Sequence, residues 1–210
     1  MPATKTILAL SLAAALASCN SGPATAGEHA RADLYACEGC EAVYEREAEL
    51  LGWSAQVADQ NEPGERLVAE GTIFAADGTT PQQGVVIYLH QTNAEGLYAN
   101  GTDESEWSRR NGRLRAWVRT GADGRYRFDT IKPAPYPDMT GPAHLHLMVL
   151  EPGKRPYYID DTVFDGEFLV DQRYRAREEL RGGSGIVRLS RDATGTLLAQ
   201  RDIVLERHPE

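Results

Sequence analysis

The stretch LVAEGTIFAADGTTPQQGVVIYLHQ, residues 67–91, decides the fold class of this chain. Apolar and β-branched residues dominate two runs, 67–74 and 85–91, and the segment between these runs contains the turn Ala76-Asp77-Gly78. The glycine supplies the positive φ that a tight reversal of the chain needs. Two short runs separated by turn residues predict two β-strands rather than a helix.

The same pattern continues to the end of the chain, and Ala122-Asp123-Gly124 is a second turn of this kind. The predicted strands are Leu67–Phe74, Val85–Gln91, Leu114–Thr120, Tyr126–Thr130, His144–Leu150, Tyr158–Val163, Gly185–Leu189 and Asp202–Leu205. Many short strands at such intervals indicate an all-β sandwich or barrel.

Two other segments favour helix. Residues 41–51 place a few apolar side chains among charges, which predicts a short helix or an extended arm. Residues 171–180 are charged and helix-permissive, and Gly182 and Gly183 would end a helix there.

The N-terminus has the layout of a signal peptide, with Lys5 followed by an apolar run from Ile7 to Ala17. That run is too short to cross a bilayer as a mature helix. The sequence Leu-Ala-Ser before Cys19 resembles the lipobox of bacterial lipoproteins, and a plain secretory signal with an incidental cysteine is the alternative. The predicted organisation is a signal peptide at 1–18, a lipidated flexible tether at 19–33 and one domain at 34–210.

A lipid on Cys19 would attach the chain to a membrane without any spanning segment. Asn20 follows this cysteine instead of an aspartate, and the resemblance to Gram-negative sorting signals favours the outer membrane. We therefore predict an exported protein at the outer membrane or cell surface, with the periplasm as the alternative location.

The formal net charge is −9, and removal of the signal peptide with Lys5 makes it −10. A chain with this excess of carboxylates is repelled by phosphate backbones, so nucleic acid is not expected as a partner. Besides Cys19, the cysteines are Cys37 and Cys40 in Cys-Glu-Gly-Cys, a pair that favours a small disulfide loop in an oxidising compartment. A redox-active dithiol and half of a zinc site are the weaker alternatives.

A histidine pair marks the candidate site. Side chains alternate along a strand, so His144 and His146 at the start of a predicted strand project from one face. Two imidazoles on one face suit a metal ion, although a hydrogen-bonded histidine pair is the more frequent meaning of this pattern alone. Tyr136 lies eight residues before His144 on a loop stiffened by three prolines, and Tyr98 follows the strand that ends at Gln91.

These residues carry a resemblance. The segments Thr130-Ile131-Lys132-Pro133-Ala134-Pro135-Tyr136-Pro137 and Pro142-Ala143-His144-Leu145-His146 resemble the iron-binding region of intradiol ring-cleavage dioxygenases. The similarity extends over residues 67–168 and the last strand. Residues 37–42 and 181–185 resemble a secreted or lipoprotein branch of that superfamily.

The resemblance implies an antiparallel, prealbumin-like β-sandwich with long loops and a short N-terminal arm or helix. It implies that Fe(III) is bound by Tyr98, Tyr136, His144 and His146, with Tyr136 also acting as a base. The implied reaction cleaves a catecholic ring between its two hydroxylated carbons with O2, and the implied assembly is a homo-oligomer. A non-catalytic β-sandwich binding module of a surface lipoprotein is the alternative function.

The chain also departs from the family pattern. Gly141 stands where the well-studied enzymes have an arginine three residues before the first histidine ligand, and Arg115 is a candidate to replace that charge. His90 replaces a tryptophan, and Asp161 replaces a pocket glutamine. A lining with an added carboxylate and a missing arginine predicts a neutral or cationic diol rather than a benzoate.

Overall fold

The computed structural model describes residues 30–102 and 105–209. The predicted signal peptide and Cys19 lie outside the described residues. No helix in the described ranges is long and apolar enough to cross a membrane. Arg31 and Asp33, at the end of the predicted tether, form ion pairs with Glu206 and Arg181, so the folded unit begins before residue 34.

The elements are short and mostly extended. The strands are β1 (Ser54–Gln56), β2 (Arg66–Phe74), β3 (Val86–Gln91), β4 (Arg115–Arg119), β5 (Arg125–Ile131), β6 (His144–Leu150), β7 (Tyr157–Tyr158), β8 (Thr162–Phe164), β9 (Ile186–Val187), β10 (Ser190–Arg191), β11 (Leu197–Gln200) and β12 (Ile203–Val204). Two α-helices are α1 (Glu106–Asn111) and α2 (Gln172–Arg175), and 3₁₀ helices occupy Cys40–Glu45 and Ala48–Leu50.

The strands form two sheets. In the first sheet the order is β1-β5-β2-β11-β10, and β12 also pairs with β2. In the second sheet the order is β4-β3-β6-β8-β9, and β7 also pairs with β6. Antiparallel pairs form the centre of each sheet, whereas β1 with β5, β11 with β2, β12 with β2 and β8 with β9 are parallel.

The main core lies between the sheets. On β3, Ile87 and Leu89 point into it, as do Leu145 and Leu147 on β6 and Phe128 on β5. Burying a side chain of this size contributes about 1.5–3 kcal/mol relative to leaving it in water.

A second apolar cluster covers the outer face of the second sheet. Tyr88, Trp117 and Met148 point away from the main core and pack against Ala42 and Val43 of the first 3₁₀ helix. This N-terminal segment explains why every residue of β3 is buried. The alternate residues on this outer face include His90, His144 and His146, so the histidines share a face with the cluster and not with the main core.

The prediction of an all-β sandwich is confirmed. The predicted strand Tyr158–Val163 is wrong as one element, because Asp160 and Asp161 separate β7 from β8 and bond outside the ladder. The predicted helix at 171–180 is limited to α2, and residues 41–51 form two 3₁₀ helices. The sequence analysis missed α1, β1, β10 and β11.

The predicted disulfide between Cys37 and Cys40 is present, with Cα atoms 5.7 Å apart. Cys40 is buried at the start of the first 3₁₀ helix, and Cys37 packs against the same outer cluster. The bridge therefore secures the segment that covers the outer face of the second sheet.

Candidate metal centre

Four side chains from one strand and two loops meet beside the outer cluster. His144 and His146 project from β6, and Tyr98 and Tyr136 come from separate loops. Gly96 allows the loops to touch: its φ is +79°, and a Cβ there would lie 2.1 Å from the carbonyl oxygen of Pro135. A side chain at Gly96 would therefore push apart the two loops that carry the tyrosines.

The donor atoms of these four side chains converge on one point. The phenol oxygens of Tyr98 and Tyr136 lie 2.8 Å apart, and the Nε2 atoms of His144 and His146 lie 2.9 Å apart. Tyr98 Oη is 2.9 Å from His146 Nε2, and Tyr136 Oη is 3.1 Å from His144 Nε2. Two oxygens and two nitrogens thus face one another at hydrogen-bond distances.

The outward ring nitrogens of both histidines have their own partners. His144 Nδ1 donates to the carbonyl oxygen of Pro142 at 2.7 Å, and His146 Nδ1 donates to Asp161 Oδ1 at 2.8 Å. A carbonyl and a carboxylate accept hydrogen bonds, so each ring carries its hydrogen on Nδ1 and presents a lone pair at Nε2. This arrangement of the second ring nitrogen is usual for histidines that bind metals.

Asp161 lies close enough to the histidines to be considered as a ligand itself, because one donor atom from each of His144, His146 and Asp161 falls within 4.8 Å of the others. Its carboxylate, however, contacts Nδ1 of His146, the nitrogen that points away from the convergence of Nε2 atoms. Burial alone would raise the pKa of Asp161, but His146, His144 and Arg201 together hold the pKa below its usual range. Asp161 is thus an ionised carboxylate that orients His146.

Burial favours the neutral forms of Tyr98, Tyr136 and His144. Burial raises the pKa of the Tyr98 phenol far above its ordinary value, and the hydrogen bond with Tyr136 adds to the rise. Burial also raises the pKa of Tyr136 and lowers the pKa of His144. Two phenols and two imidazoles fit a hard, highly charged cation such as Fe(III), which stabilises phenolates that burial disfavours.

His90 supports the ring of His146. Its imidazole stacks on His146 with centroids 4.5 Å apart and an interplanar angle of 22°. His90 pairs with His146 across β3 and β6, and it also stacks on Tyr88. Burial lowers the pKa of His90 well below its ordinary value, so an uncharged imidazole ring stacks on His146.

The comparisons with known proteins decide the family. Residues 41–193 match the family model Dioxygenase_C, described as "Dioxygenase". Catechol 1,2-dioxygenase 1 of Acinetobacter lwoffii is 32% identical over 132 residues, which is 54% of this chain and 41% of the relative. The protocatechuate 3,4-dioxygenase beta chain of Burkholderia cepacia is 30% identical over 139 residues, 62% of this chain and 59% of the relative. The chain belongs to the intradiol ring-cleavage dioxygenase superfamily.

Solved structures of this superfamily share the fold. The dioxygenase domain of a dioxygenase–carbohydrate-binding protein fusion from Streptomyces sp. SirexAA-E has a TM-score of 0.55 and 24% identity, covering 72% of this chain and 86% of that one. Catechol 1,2-dioxygenase from Pseudomonas arvilla C-1 has a TM-score of 0.55 and 24% identity, covering 73% and 56%. The chain spans roughly half the length of the curated relatives that it matches.

Arg115, the candidate for the missing charge in this intradiol dioxygenase homologue, is bonded to groups outside the four converging side chains. Its guanidinium forms a salt bridge with Glu45, donates to Ser105 Oγ at 3.0 Å and lies over Trp117 at 5.1 Å from the ring centroid. Within the described ranges, it makes no hydrogen bond to the four converging side chains. The role of Arg115 as a replacement for the missing arginine stays a prediction, and its guanidinium is already paired with a carboxylate 70 residues away in the sequence.

Gly141 leaves the corresponding position open. A Cβ built on Gly141 would meet no atom within 4 Å, and its φ is not in the left-handed region. The backbone could therefore carry an arginine here without strain. The chain therefore has space for the family's arginine at position 141 but lacks its positive charge.

A cavity of about 500 Å³ adjoins the candidate centre. Pro142 and Asp161, which hold the two imidazoles, both line it, and its wall also includes Arg173, Tyr174 and Arg177. The sequence analysis missed this wall and the contact between Asp161 and His146. The paired acids Asp160 and Asp161 inside a β-like run were the available signal, because two adjacent carboxylates are unusual in a buried strand.

Proposed function

We propose that this protein is a non-haem iron(III) dioxygenase that cleaves a catecholic ring between its two hydroxylated carbons with O2. Tyr98, Tyr136, His144 and His146 are the proposed iron ligands. The observation that carries the proposal is the convergence of four donor atoms while both Nδ1 atoms are engaged elsewhere. The family supports the reaction class, since the curated relatives are intradiol dioxygenases.

Bound at this point, Fe(III) would supply a Lewis acid that chelates the diol and withdraws electron density from it for reaction with O2. Side-chain and backbone groups of the chain fix the hydrogens of the two histidine ligands. Asp161 and the carbonyl of Pro142 keep the histidine hydrogens on Nδ1, so both Nε2 lone pairs stay directed at one point. His90, stacked on His146, resists rotation of that ring.

Tyr136 is the proposed base for a hydroxyl of the diol. It is half-buried and is followed by the exposed residues 137–140, whereas Tyr98 is backed by Gly112, where a Cβ would lie 3.0 Å from Tyr98 Cα. The loop of Tyr136 therefore has more freedom to move its phenol oxygen. A proton from the diol is accepted at Tyr136 Oη in this proposal.

A catechol without a ring carboxylate is the proposed preferred substrate. Asp160, Asp161 and Glu178 line the cavity beside the centre, and position 141, a glycine, supplies no positive charge. A carboxylate on the ring would meet charges of its own sign next to the metal centre. Catechol 1,2-dioxygenases are among the matched relatives.

Export and lipid attachment at Cys19 are also proposed. The disulfide between Cys37 and Cys40 supports an oxidising compartment, because such bridges are rare in the reducing cytosol. A secreted location would expose the site to diols outside the cell.

The test is reconstitution with ferric iron. We expect one Fe(III) per chain, a wine-red colour from tyrosinate-to-iron charge transfer, and O2 uptake with catechol that gives a muconate product. His146→Ala should abolish stoichiometric iron binding, because it removes one of four protein ligands. Colourless protein without iron would contradict the proposal and favour the alternative function, a non-catalytic binding module. Red protein without O2 uptake would mean that the site, with Gly141 in place of the arginine, binds metal but does not turn over substrate.

A further inference from the structure

Asp161 lies outside the regular strands, although its carboxylate bonds a proposed metal ligand. β7 ends at Tyr158 and β8 begins at Thr162, so Asp160 and Asp161 belong to the connection between these strands. The Asp161 carboxylate nevertheless lies 2.8 Å from Nδ1 of His146. A connection is held less regularly than a strand, so other contacts must fix the direction in which this carboxylate points.

A buried arginine bonds the connection immediately before and immediately after Asp161. Arg201 Nη1 donates to the carbonyl oxygen of Asp160 at 2.6 Å and to Thr162 Oγ1 at 2.9 Å. A guanidinium nitrogen of this type carries two hydrogens in a fixed plane. Because one nitrogen makes both bonds, it fixes Asp160 and Thr162 relative to each other, and Asp161 is held between them.

The backbone of Arg201 is itself fixed in the first sheet. Arg201 lies between β11 and β12, and its backbone N–H donates to the carbonyl oxygen of Glu70 at 2.9 Å. Its own carbonyl oxygen accepts a hydrogen bond from Tyr126 Oη at 2.7 Å. Gly71 permits this close approach, because a Cβ there would lie 1.9 Å from the Arg201 carbonyl oxygen. The side chain of Arg201 therefore reaches from a fixed backbone in one sheet to the β7–β8 connection of the other.

The guanidinium of Arg201 carries a buried charge. Only 4% of the residue is exposed, and among the described residues its Nε has no hydrogen-bond partner. Burial lowers the pKa of Arg201, and the carboxylates of Asp160, Asp161 and Glu178 oppose that shift. Hydrogen bonds from a charged donor are stronger than those between neutral groups. The two bonds that flank Asp161 are therefore strong restraints on the connection.

A close approach at Gly185 also confines the backbone of Asp161. A Cβ at Gly185 would lie 2.1 Å from the carbonyl oxygen of Asp161. The carbonyl oxygen of Gly185 accepts a hydrogen bond from the backbone N–H of Val163 in β8, at 2.9 Å. The segment that carries Asp161 thus has little freedom to shift while the bonds from Arg201 are intact.

We propose that Arg201 is a positioning residue for the metal centre, which fixes residues 160–162 so that the Asp161 carboxylate stays on Nδ1 of His146. The inference rests on the proposed function for the assignment of His146 as an iron ligand. Within the described ranges, Arg201 makes no hydrogen bond to the four converging side chains, so its influence passes through Asp161. The second sheet supplies the histidines, and the first sheet supplies part of their support.

The main variant is Arg201→Lys, which keeps a positive charge but removes the planar guanidinium that bonds both flanking residues. The matched control is Arg181→Lys. Arg181 is also buried, and its side chain bonds Asp33 and Glu179 instead of the segment that carries Asp161. Circular dichroism and urea denaturation compare the folding of the two variants.

A milder variant avoids the loss of a buried arginine. Thr162→Val has a similar shape and removes only the Oγ1 acceptor, so the bond from Arg201 to the carbonyl oxygen of Asp160 remains. Its matched control is Thr120→Val, at a buried threonine whose hydroxyl donates to the carbonyl oxygen of Gln82.

The first readout is made on metal-free protein that contains ¹⁵N-labelled histidine. The Nδ1–H of His146 should give a slowly exchanging proton signal in nuclear magnetic resonance spectra, because it donates to a carboxylate. Loss of this signal in Asp161→Asn assigns it. In Arg201→Lys the signal should shift and its proton should exchange faster, with a smaller change in Thr162→Val. Both control variants should keep the wild-type signal.

The second readout is the affinity for Fe(III), measured by competition with a chelator. Arg201→Lys should lower this affinity about tenfold, the lower end of the range for loss of an orienting group, and Arg181→Lys should leave it unchanged. In an Asp161→Asn background, Arg201→Lys should cause no further loss, because the group through which it acts has been removed. A purely structural role would lower the affinity in both backgrounds.

Three results would overturn the inference: an unchanged His146 signal in Arg201→Lys, an equal change in Arg181→Lys, or additive losses of iron affinity with Asp161→Asn. If Arg201→Lys does not fold, Thr162→Val decides, since an altered His146 signal supports the inference and an unaltered signal refutes it.

Failure of the proposed function is distinguishable from these outcomes. If the wild-type protein binds no iron, the proposed function fails, whereas the histidine signal of the metal-free protein still decides whether Arg201 positions Asp161. If iron is bound and a catechol is cleaved but the signal does not depend on Arg201, the function stands and the positioning role is refuted.

Discussion

The Nε2 atoms of His144 and His146 lie 2.9 Å apart, although neither ring can donate a hydrogen bond from that atom while Nδ1 is protonated. Two lone pairs facing each other at this distance repel unless a cation lies between them and their neighbours. The phenols of Tyr98 and Tyr136 complete the same ring of donors. The four donors are therefore arranged as a set that a cation would stabilise.

The tyrosines are expected to produce the colour of the iron-loaded protein. Tyr136→Phe and Tyr98→Phe each remove one phenolate donor, so each should weaken or shift the visible charge-transfer band and lower the affinity for iron. Visible spectra and iron analysis after reconstitution measure both effects. Tyr44→Phe, at an exposed position in the first 3₁₀ helix, is the control and should leave the spectrum unchanged. An unaltered spectrum in both site variants would refute the ligand assignment.

Asp161 is expected to strengthen metal binding through His146. Removal of a group that orients a metal-bound histidine usually costs about 10–100-fold in affinity. Asp161→Asn should therefore lower the affinity for iron by at least about tenfold, measured by competition with a chelator. The control is Asp160→Asn, which lines the same cavity but bonds the backbone of Leu180. Equal losses in both variants would point to general disruption of the cavity.

The charge at position 141 is expected to control the use of protocatechuate. The wild-type protein should have a higher kcat/KM for catechol than for protocatechuate. Gly141→Arg has space for its side chain and should raise the relative kcat/KM for protocatechuate about tenfold, because a cation then faces the ring carboxylate. Gly52→Arg adds the same charge at an exposed position and should change nothing. A wild-type preference for protocatechuate would contradict the electrostatic argument.

The disulfide is expected to stabilise the segment over the outer face of the second sheet. The double variant Cys37→Ser and Cys40→Ser should lower the free energy of unfolding by about 2 kcal/mol, the value that loop closure predicts for so short a ring. Urea denaturation with and without reductant measures the difference. The variant should be insensitive to reductant, whereas the wild-type protein should become equally unstable when reduced. Free thiols in protein from an oxidising compartment would refute the bridge there.

Cys19 is expected to be the point of membrane attachment. In the intact precursor expressed in a Gram-negative host, Cys19→Ala removes the thiol that receives the lipid, so the protein should no longer fractionate with membranes. Radiolabelled fatty acid incorporation and membrane fractionation are the measurements. Cys37→Ala is the matched control and should remain lipidated. A Cys19→Ala protein that still sediments with membranes would refute the anchor.

Sequence alone was sufficient for the central strands and for part of the site. Side chains alternate along any extended chain, so His144 and His146 had to share a face wherever that strand was placed. The central strands β2, β3 and β6 were predictable because their apolar patterns are long. Tyr98 and Tyr136 could be predicted as ligands only from the family resemblance, because a single tyrosine on a loop belongs to no periodic pattern.

Tertiary structure alone decided which groups hold and surround those histidines. Asp161 reaches His146 because β8 is placed beside β6, and Arg115 pairs with Glu45 because the N-terminal segment folds over the second sheet. Local sequence cannot specify such contacts, because they depend on the pairing of segments far apart in the chain. The strand period therefore determined where the imidazoles point, and long-range packing determined which carboxylates and arginines surround them.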